Sequence, residues 1–572
     1  MRFLVTRLKP LAPRMAVGFL IKVSATVSEL LLPVILTYIL EHVIVTERVE
    51  LVILFGALMI CCSVIACVGH ITANRMAAAV SRDFTGRMRG ELFSKTMALC
   101  CRDTDGFTIP SLESRITTDT YNVHQFVIMM QRMGVRAPIL LIGGMIISFI
   151  IDPVLALVML AIVPFIFITV LFISKKGVPL YGKVQKSVDK MVRIVREDTQ
   201  GVRVIKALSK TEYENRRFEA ANRALSKDER RAGVVVSASN PIMSIFMNLG
   251  LVAVVVVSAF RVTDNPASAS NVIAFMQYFT LISMAMMTMT RIFVMYSKCR
   301  ASAKRIEEVV ETPTDITVTA PEIKEGDDSH VTFEGVSFSY LGKKNNVEDI
   351  SFSLKRGETL GIIGATGSGK STIIKLLLRL YEVAEGEIRI NGRNITSYSR
   401  EELSSMIGVT LQNDFLYSDT VEENIRFGRE LTQEEIVNAA KIAQAYDYII
   451  SKPDGFGHIL TPKGTNFSGG QRQRLLIARA IANKPPILIL DDASSALDYK
   501  TDAALRAALA EGLKGSTVIT VAQRVSSVKS CSHILVIDEG RIIGCGTHEQ
   551  LLLSCPEYKE ISDSQMGGAI ID

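Results

Sequence analysis

No two cysteines of this 572-residue chain stand at C-x-x-C spacing, and nothing among its nine cysteines and seven histidines has metal-ligand spacing. A zinc ribbon and a dithiol redox centre are therefore excluded. Cys61, Cys62 and Cys67 lie inside an apolar run, and Cys531 and Cys545 in a polar half. They read as free thiols facing lipid or core in a reducing compartment. No convincing small-residue cleavage site follows the first apolar run, about 14–40, although Arg2, Arg7, Lys9 and Arg14 precede or open it. The run is also too long for a signal peptide, so it is expected to stay as a membrane helix. Charge is scarce inside the long apolar runs, where Lys22, Glu29, Arg136 and Arg291 stand out.

What is present is unevenly spread. The chain is 48% hydrophobic and 21% charged, with a net charge of +6. Its long apolar stretches all lie before about residue 300; after about 330 it reads as a water-soluble α/β protein. A basic chain can signal nucleic acid, but here the excess flanks apolar spans, so a lipid bilayer is the expected environment and no nucleic-acid partner is expected. A span needs about 20 apolar residues. Six stretches qualify, at about 14–43, 50–75, 133–151, 154–174, 234–260 and 271–295. Three connections are short (HVIVTERVE, IDP, RVTDNPASAS), whereas 76–132 and 175–233 are long and polar, the second with twice as many Lys/Arg as Asp/Glu. The positive-inside rule places these long segments and both termini in the cytoplasm. They are expected to continue as helices and to turn near 103–115 and 197–210, where Gly, Asp and Pro punctuate the sequence.

The intramembrane charges are functional candidates. Lys22 and Arg136 read best as snorkelling to the inner interface. Glu29 reads as an interhelical hydrogen-bonding group or as part of a substrate path. The methionine-rich run 283–293, with Met286 and Arg291 as further substrate-path residues, suits an adaptable apolar binding surface or plain packing.

In the second half, 331–340 alternates as a strand. A further strand, TLGIIG, runs into GATGSGKST (364–372) and an apolar helix. This is a P-loop in its strand–loop–helix context. Gly364, Thr366, Gly367, Ser368, Gly369, Lys370, Ser371 and Thr372 are the expected ATP-binding residues. Lys370 is expected to reach the β- and γ-phosphates, and Ser371 to meet Mg²⁺. The strand PILILDD carries Asp491 to the same metal.

Between these elements lies NFSGGQRQRLLIARA (466–480), which a generic P-loop protein does not need. With it the chain resembles an ATP-binding cassette (ABC) exporter half-transporter over nearly its whole length. The resemblance implies a polytopic α-helical membrane domain over 1–300, a linker over 301–330 and an α/β ABC nucleotide-binding domain over 331–572. Two such halves would sandwich two ATP molecules head-to-tail. Tyr340 would stack on adenine, and Gln412 would lie near Mg²⁺. Phe467, Ser468, Gly469, Gly470 and Gln471 would contact the opposite ATP, and Asp498 would link the two sites. The tips 103–111 and 199–207 look like coupling helices.

Two positions depart from the family pattern. Asp492 stands where a glutamate base is usual, and Gln523 where a histidine switch is usual. Aspartate is one methylene shorter, pulling its carboxylate back by roughly 1–1.5 Å, and a misplacement of about 1 Å can cost on the order of 10²-fold. The neutral amide of Gln523 donates a hydrogen bond but cannot become a cation. TPKGTN (461–466) replaces an acidic stretch as a third departure. The combination resembles the degenerate-site subunit of heterodimeric bacterial multidrug exporters. The implied partner is a different half-transporter with glutamate and histidine at these positions, in the plasma membrane, with a small amphipathic drug or lipid as cargo. A homodimeric exporter of peptides or lipids is the alternative, and an ATP-gated regulator or channel the rival class.

Overall fold

The computed structural model describes residues 1–262, 268–313, 318–320 and 328–566. Part of the expected linker (314–317 and 321–327) and part of the third outer connection (263–267) lie outside the described residues. The chain divides into two compact units, Met1–Met97 with Thr108–Thr312, and Ala98–Phe107 with Pro313–Asp572.

The first unit is helical. Its main helices are α1 (Ala12–Tyr38), α2 (Val49–Ala98), α3 (Thr120–Ile151), α4 (Pro153–Ala207), α5 (Thr211–Ser237), α6 (Ser239–Val262) and α7 (Ser268–Glu311). Among the described residues, six helical stretches are long and apolar enough to cross a membrane, and each contains one of the expected spans. The connections follow local chemistry. Asp152 caps α4 by accepting from the N–H groups of Val154 and Leu155, with Pro153 at the first helical position. In α1, Pro33 is accommodated inside the helix, as is common where neighbouring helices re-satisfy the backbone. Tyr278 of α7 donates its hydroxyl to the Leu30 carbonyl at 2.7 Å. Among the expected tips, Gly201 remains helical, and the reversal after α4 falls at Leu208–Lys210, where Ser209 takes φ +54°.

The second unit is α/β. One sheet is antiparallel, in the order β2 (Val347–Lys355), β1 (Ser329–Phe338), β4 (Glu385–Ile390), β5 (Arg393–Asn394). The other is ordered β10 (Arg541–Gly546), β9 (His533–Asp538), β3 (Thr359–Ile363), β8 (Thr517–Val521), β7 (Ile487–Asp491), β6 (Ile407–Thr410). In this sheet β9 to β6 run parallel and β10 closes the edge antiparallel. Strand β7 is buried along all five residues, which is why PILIL reads as a continuous apolar run rather than an alternating one. Parallel pairing of β7 with β8, and of β8 with β3, brings the P-loop, Asp491 and the segment after Val521 to the same end of the sheet. The short helix Cys101–Phe107 belongs to this unit; the Tyr381 hydroxyl donates to Asp105 Oδ2 at 2.6 Å.

Candidate functional site

The P-loop leaves β3 at Gly364 and enters α8 (Lys370–Leu377). Two glycines are required by space. A Cβ on Gly364 would lie 2.0 Å from the Ile537 carbonyl oxygen, and one on Gly369, at φ +104°, 2.6 Å from that of Asn346. Thr366 and Gly367 are exposed at the tip, whereas Ser368 and Thr372 are buried. Lys370 is 9% exposed. Its ammonium donates to the carbonyl oxygens of Gly364 and Ala365 at 2.9 and 2.6 Å. Burial lowers its pKa, against the pull of Asp491 and Asp492.

Ser371 donates its hydroxyl to Asp491 Oδ1 at 3.1 Å. Asp491, 4% exposed at the end of β7, has its pKa raised by burial and by Asp492, with Ser371 and Lys370 opposing. A hydroxyl and a carboxylate side by side form a hard oxygen donor pair of the kind Mg²⁺ takes, so the residues present fit that ion. Gln412 lies exposed in the turn after β6 and makes no hydrogen bond to this pair among the described residues. Tyr340 stands edge-on to Phe338 and Tyr381, with ring centroids 4.9 and 5.0 Å away, and the Lys375 ammonium lies 5.4 Å from its own centroid. Its hydroxyl lies 3.4 Å from Thr372 Oγ1, which ties it to the P-loop helix.

Asp492 follows β7 directly. Its backbone is left-handed, φ +53°, and its N–H donates to the Val521 carbonyl at 2.9 Å. The side chain is half-buried. Burial raises its pKa, while Lys370 and Arg524 pull it down. Gln523 is exposed two residues past β8. A group that sequence reasoning missed holds its backbone. Gln565, in the helix α11 (Pro556–Met566), donates to the Gln523 carbonyl at 2.8 Å and accepts from the Val525 N–H at 2.8 Å. No motif marks that residue.

The signature opens the helix α9 (Gly469–Ile481). Ser468 is its N-cap, accepting from the Gln471 N–H at 3.3 Å while Gln471 Oε1 accepts from the Ser468 N–H at 3.0 Å. Phe467 is buried against Tyr448 and His458. Gly469 and Gly470 approach Ala496 so closely that Cβ atoms there would lie 3.4 Å from its Cβ and 3.1 Å from its carbonyl oxygen. Gln473, also missed, joins this helix to the loop after Asp492. It donates to Ser495 Oγ at 3.0 Å and accepts from the Ala496 N–H at 3.0 Å. Asp498 caps α10 (Tyr499–Gly512), taking the N–H and hydroxyl of Thr501, both at 2.9 Å. In the departing TPKGTN segment, Asn466 Oδ1 accepts from the Thr461 N–H and hydroxyl at 3.2 and 3.1 Å, so that turn holds itself without charge.

In the first unit, Glu29 is an interhelical group. It takes Arg136 Nη2 and Nε at 2.5 and 3.1 Å and lies 3.2 Å from His70 Nε2. Arg136 is thus paired with a carboxylate on α1 while its side chain stays 41% exposed. Lys22, 4% exposed, donates to Asn74 Oδ1 at 3.2 Å. Met286 is buried in an apolar cluster with Leu155, Met159, Phe275 and Phe279, and Arg291 is exposed, so neither joins Glu29.

The comparisons agree with this architecture. Residues 15–286 match the family model for the ABC transporter transmembrane region, and residues 347–495 that for ABC transporter. An uncharacterized ABC transporter ATP-binding protein of Mycobacterium tuberculosis is 32% identical over 99% of this chain and 98% of its own. The uncharacterized ABC transporter ATP-binding protein YfiB of Bacillus subtilis is 32% identical over 98% of both. The solved structure of a bacterial Atm1-family ABC exporter with ATP bound has the same fold, with a TM-score of 0.80 at 22% identity, covering 96% of this chain and 98% of that one. The chain belongs to the ABC transporter family. It is a half-transporter: one multi-pass membrane domain fused to one ATP-binding domain, in a family that works as dimers within the bilayer.

Proposed function

We propose that this chain is one subunit of a heterodimeric exporter, and that it supplies the P-loop and Asp491 of a weakly hydrolysing ATP site. Its FSGGQ sequence would complete a competent site whose base, a glutamate, belongs to a different half-transporter. The observation that carries the reading is the pair Asp492 and Gln523: both hydrolytic positions depart, beside a P-loop whose lysine, serine and metal aspartate are in place. The setting of Asp492 supports it. A short carboxylate on a backbone pinned to Val521 has little freedom to make up the missing methylene.

In this reading Lys370 and the P-loop N–H groups bind and orient the β- and γ-phosphates. Ser371 and Asp491 hold the Mg²⁺ that arrives with ATP, and Tyr340 takes the adenine. Mg²⁺ supplies charge neutralisation at the phosphates. Gln412 acts near the Mg²⁺ and the membrane-domain contact, while Asp498 and the signature residues Phe467 to Gln471 act at the dimer contact, with Ser468 and Gly470 on the partner's γ-phosphate. ATP binding closes the cassettes and turns the membrane cavity outward; hydrolysis at the competent site resets it. The membrane is a bacterial plasma membrane with both termini in the cytoplasm, and the cargo is an amphipathic drug or lipid.

The test is steady-state ATPase of the isolated chain in lipid. Binding of ATP–Mg²⁺ with turnover well below the order of 1–10 s⁻¹ is expected. Turnover in that range would sink the weak-site reading.

A further inference from the structure

Three helices of the first unit each present a polar pair to one shared region. Lys22 and Glu29 stand two turns apart on α1, His70 and Asn74 one turn apart on α2, and Arg132 and Arg136 one turn apart on α3. Spacings of four and seven residues keep each pair on one helix face. The hydrogen bonds from Glu29 to Arg136 and His70, and from Lys22 to Asn74, draw the three faces together. Arg132 and Arg136 both act electrostatically on the Lys22 ammonium.

The charges in this region do not balance. Lys22, Arg132 and Arg136 are cations, His70 is neutral in its ordinary state, and Glu29 is the one carboxylate found acting on Lys22 or His70 among the described residues. Glu29 is already engaged by the guanidinium of Arg136. Lys22 has only the neutral amide oxygen of Asn74. The Nε of Arg132 is buried and has no hydrogen-bond partner among the described residues, and the same holds for Nδ1 of His70. An uncompensated cation at membrane depth is costly, and a buried donor without an acceptor adds to the cost.

The depth is specific. At 1.5 Å per residue, Arg136 and Arg132 lie roughly 22 and 28 Å along α3 from its outer end at Ile151, and His70 roughly 31 Å along α2 from Val49. With about 30 Å of hydrocarbon, Arg132 and His70 lie at the boundary of the inner leaflet, where lipid headgroups lie, and Arg136 roughly 8 Å inside it.

We propose that Lys22 and Arg132, beside the Arg136 fork already held by Glu29, form a receiving site for the anionic headgroup, phosphate or carboxylate, of an amphiphile in that leaflet. Glu29 is a positioning residue: it holds the Arg136 fork and leaves Arg132 and Lys22 to the ligand. The proposal narrows the cargo class and rests on the membrane orientation given above, but on neither the weak ATP site nor the heterodimer.

The experiment measures binding to the purified full chain without nucleotide. Pyrene-labelled phosphatidylglycerol and a pyrene-labelled fatty acid are compared with labelled phosphatidylcholine, in nanodiscs of phosphatidylcholine. At least one anionic probe is expected to bind about ten-fold more tightly than the zwitterionic one, the scale of a charge-assisted hydrogen bond. Preference for the phosphate or the carboxylate probe identifies the headgroup. Arg132→Gln is expected to remove most of that preference at unchanged Tm, because Arg132 makes no hydrogen bond or ion pair among the described residues, and Arg132→Lys to retain part of it. Glu29→Gln is expected to lower Tm while keeping or raising the anion preference. Equal binding of all probes by the wild type, or an anion preference untouched by Arg132→Gln, would overturn the proposal. ATPase of the isolated chain is read separately, so a failure of the weak-site reading does not move these results.

Discussion

Lysine 370 and glutamate 29 are both charged and both largely withdrawn from water, yet the two halves of the molecule hold them by different means. The P-loop surrounds Lys370 with main-chain carbonyls of residues five and six positions away, so the site is fixed by one loop. The membrane half holds Glu29 with side chains from α2 and α3, 41 and 107 residues distant. A loop-built site loses its function when one residue changes but keeps its shape. A site built from separate helices uses its charges to register those helices, so the same change reaches the packing.

The largest break in this comparison should come from Ser468→Arg. A bulky cation at the N-cap of α9 removes the capping hydroxyl and blocks the face expected to meet the partner's ATP. ATPase of the assembled pair should fall by on the order of 10²-fold or more, with both chains present in equal amounts. If activity survives while Asp492→Asn abolishes it, the assignment of weak and competent sites is reversed. Next is Lys370→Ala. Loss of a charge-assisted contact should weaken ATP binding at this chain's own site by about 10–100-fold, with the cassette's melting temperature little changed in the absence of nucleotide. Titration with a fluorescent ATP analogue reads it, and a drop in Tm of several degrees would show that the lysine is structural. In the membrane half the sign should invert. Glu29→Gln leaves Arg136 without its carboxylate and should cost about 1–3 kcal/mol of stability, seen as a lower Tm in detergent with ATP affinity unchanged.

The smallest effect sharpens the contrast. Burial holds the Asp492 carboxyl above its ordinary pKa. A carboxyl whose folded pKa is raised favours the folded state when protonated, and that contribution is lost as pH rises through the folded value. At neutral pH the ionised form is therefore the less welcome one. Asp492→Asn should leave the Tm unchanged or slightly higher at pH 7, and that difference should shrink as pH falls and the native carboxyl becomes protonated, because both side chains are then neutral. Asparagine also tolerates the left-handed backbone found there, so the change reports on charge alone. A clear loss of Tm at pH 7 would mean that Lys370 and Arg524 outweigh burial.

The same division explains what could be read from the chain. The P-loop, the strand to Asp491 and the FSGGQ helix are contiguous stretches whose backbone does the work, so their sequence carries their geometry. The six spans were legible because crossing hydrocarbon demands length and apolarity together. His70, Asn74 and Arg132 were not read, since the partners of a polar group in a bundle are set by which helix faces meet. Nothing in the sequence marks Asn74 as the partner of Lys22 or Glu29 as that of Arg136. Gln473 and Gln565 escaped for a related reason: each holds a loop remote in sequence, 19 or more residues away in the first case and about 40 in the second.

Gln565 has a consequence for timing. Its amide occupies both the Gln523 carbonyl and the Val525 N–H, so the main chain beside the switch position is ordered before any nucleotide arrives. Each such bond is worth about 1 kcal/mol net. Any motion of that segment during the cycle must therefore wait for the amide to let go, or carry the end of α11 with it. Exchange of the Val525 amide hydrogen becomes a clock for that release. It should run slowly in the resting chain and roughly five- to thirty-fold faster in Gln565→Ala, and an unchanged rate would show that the clamp is not what holds the segment still.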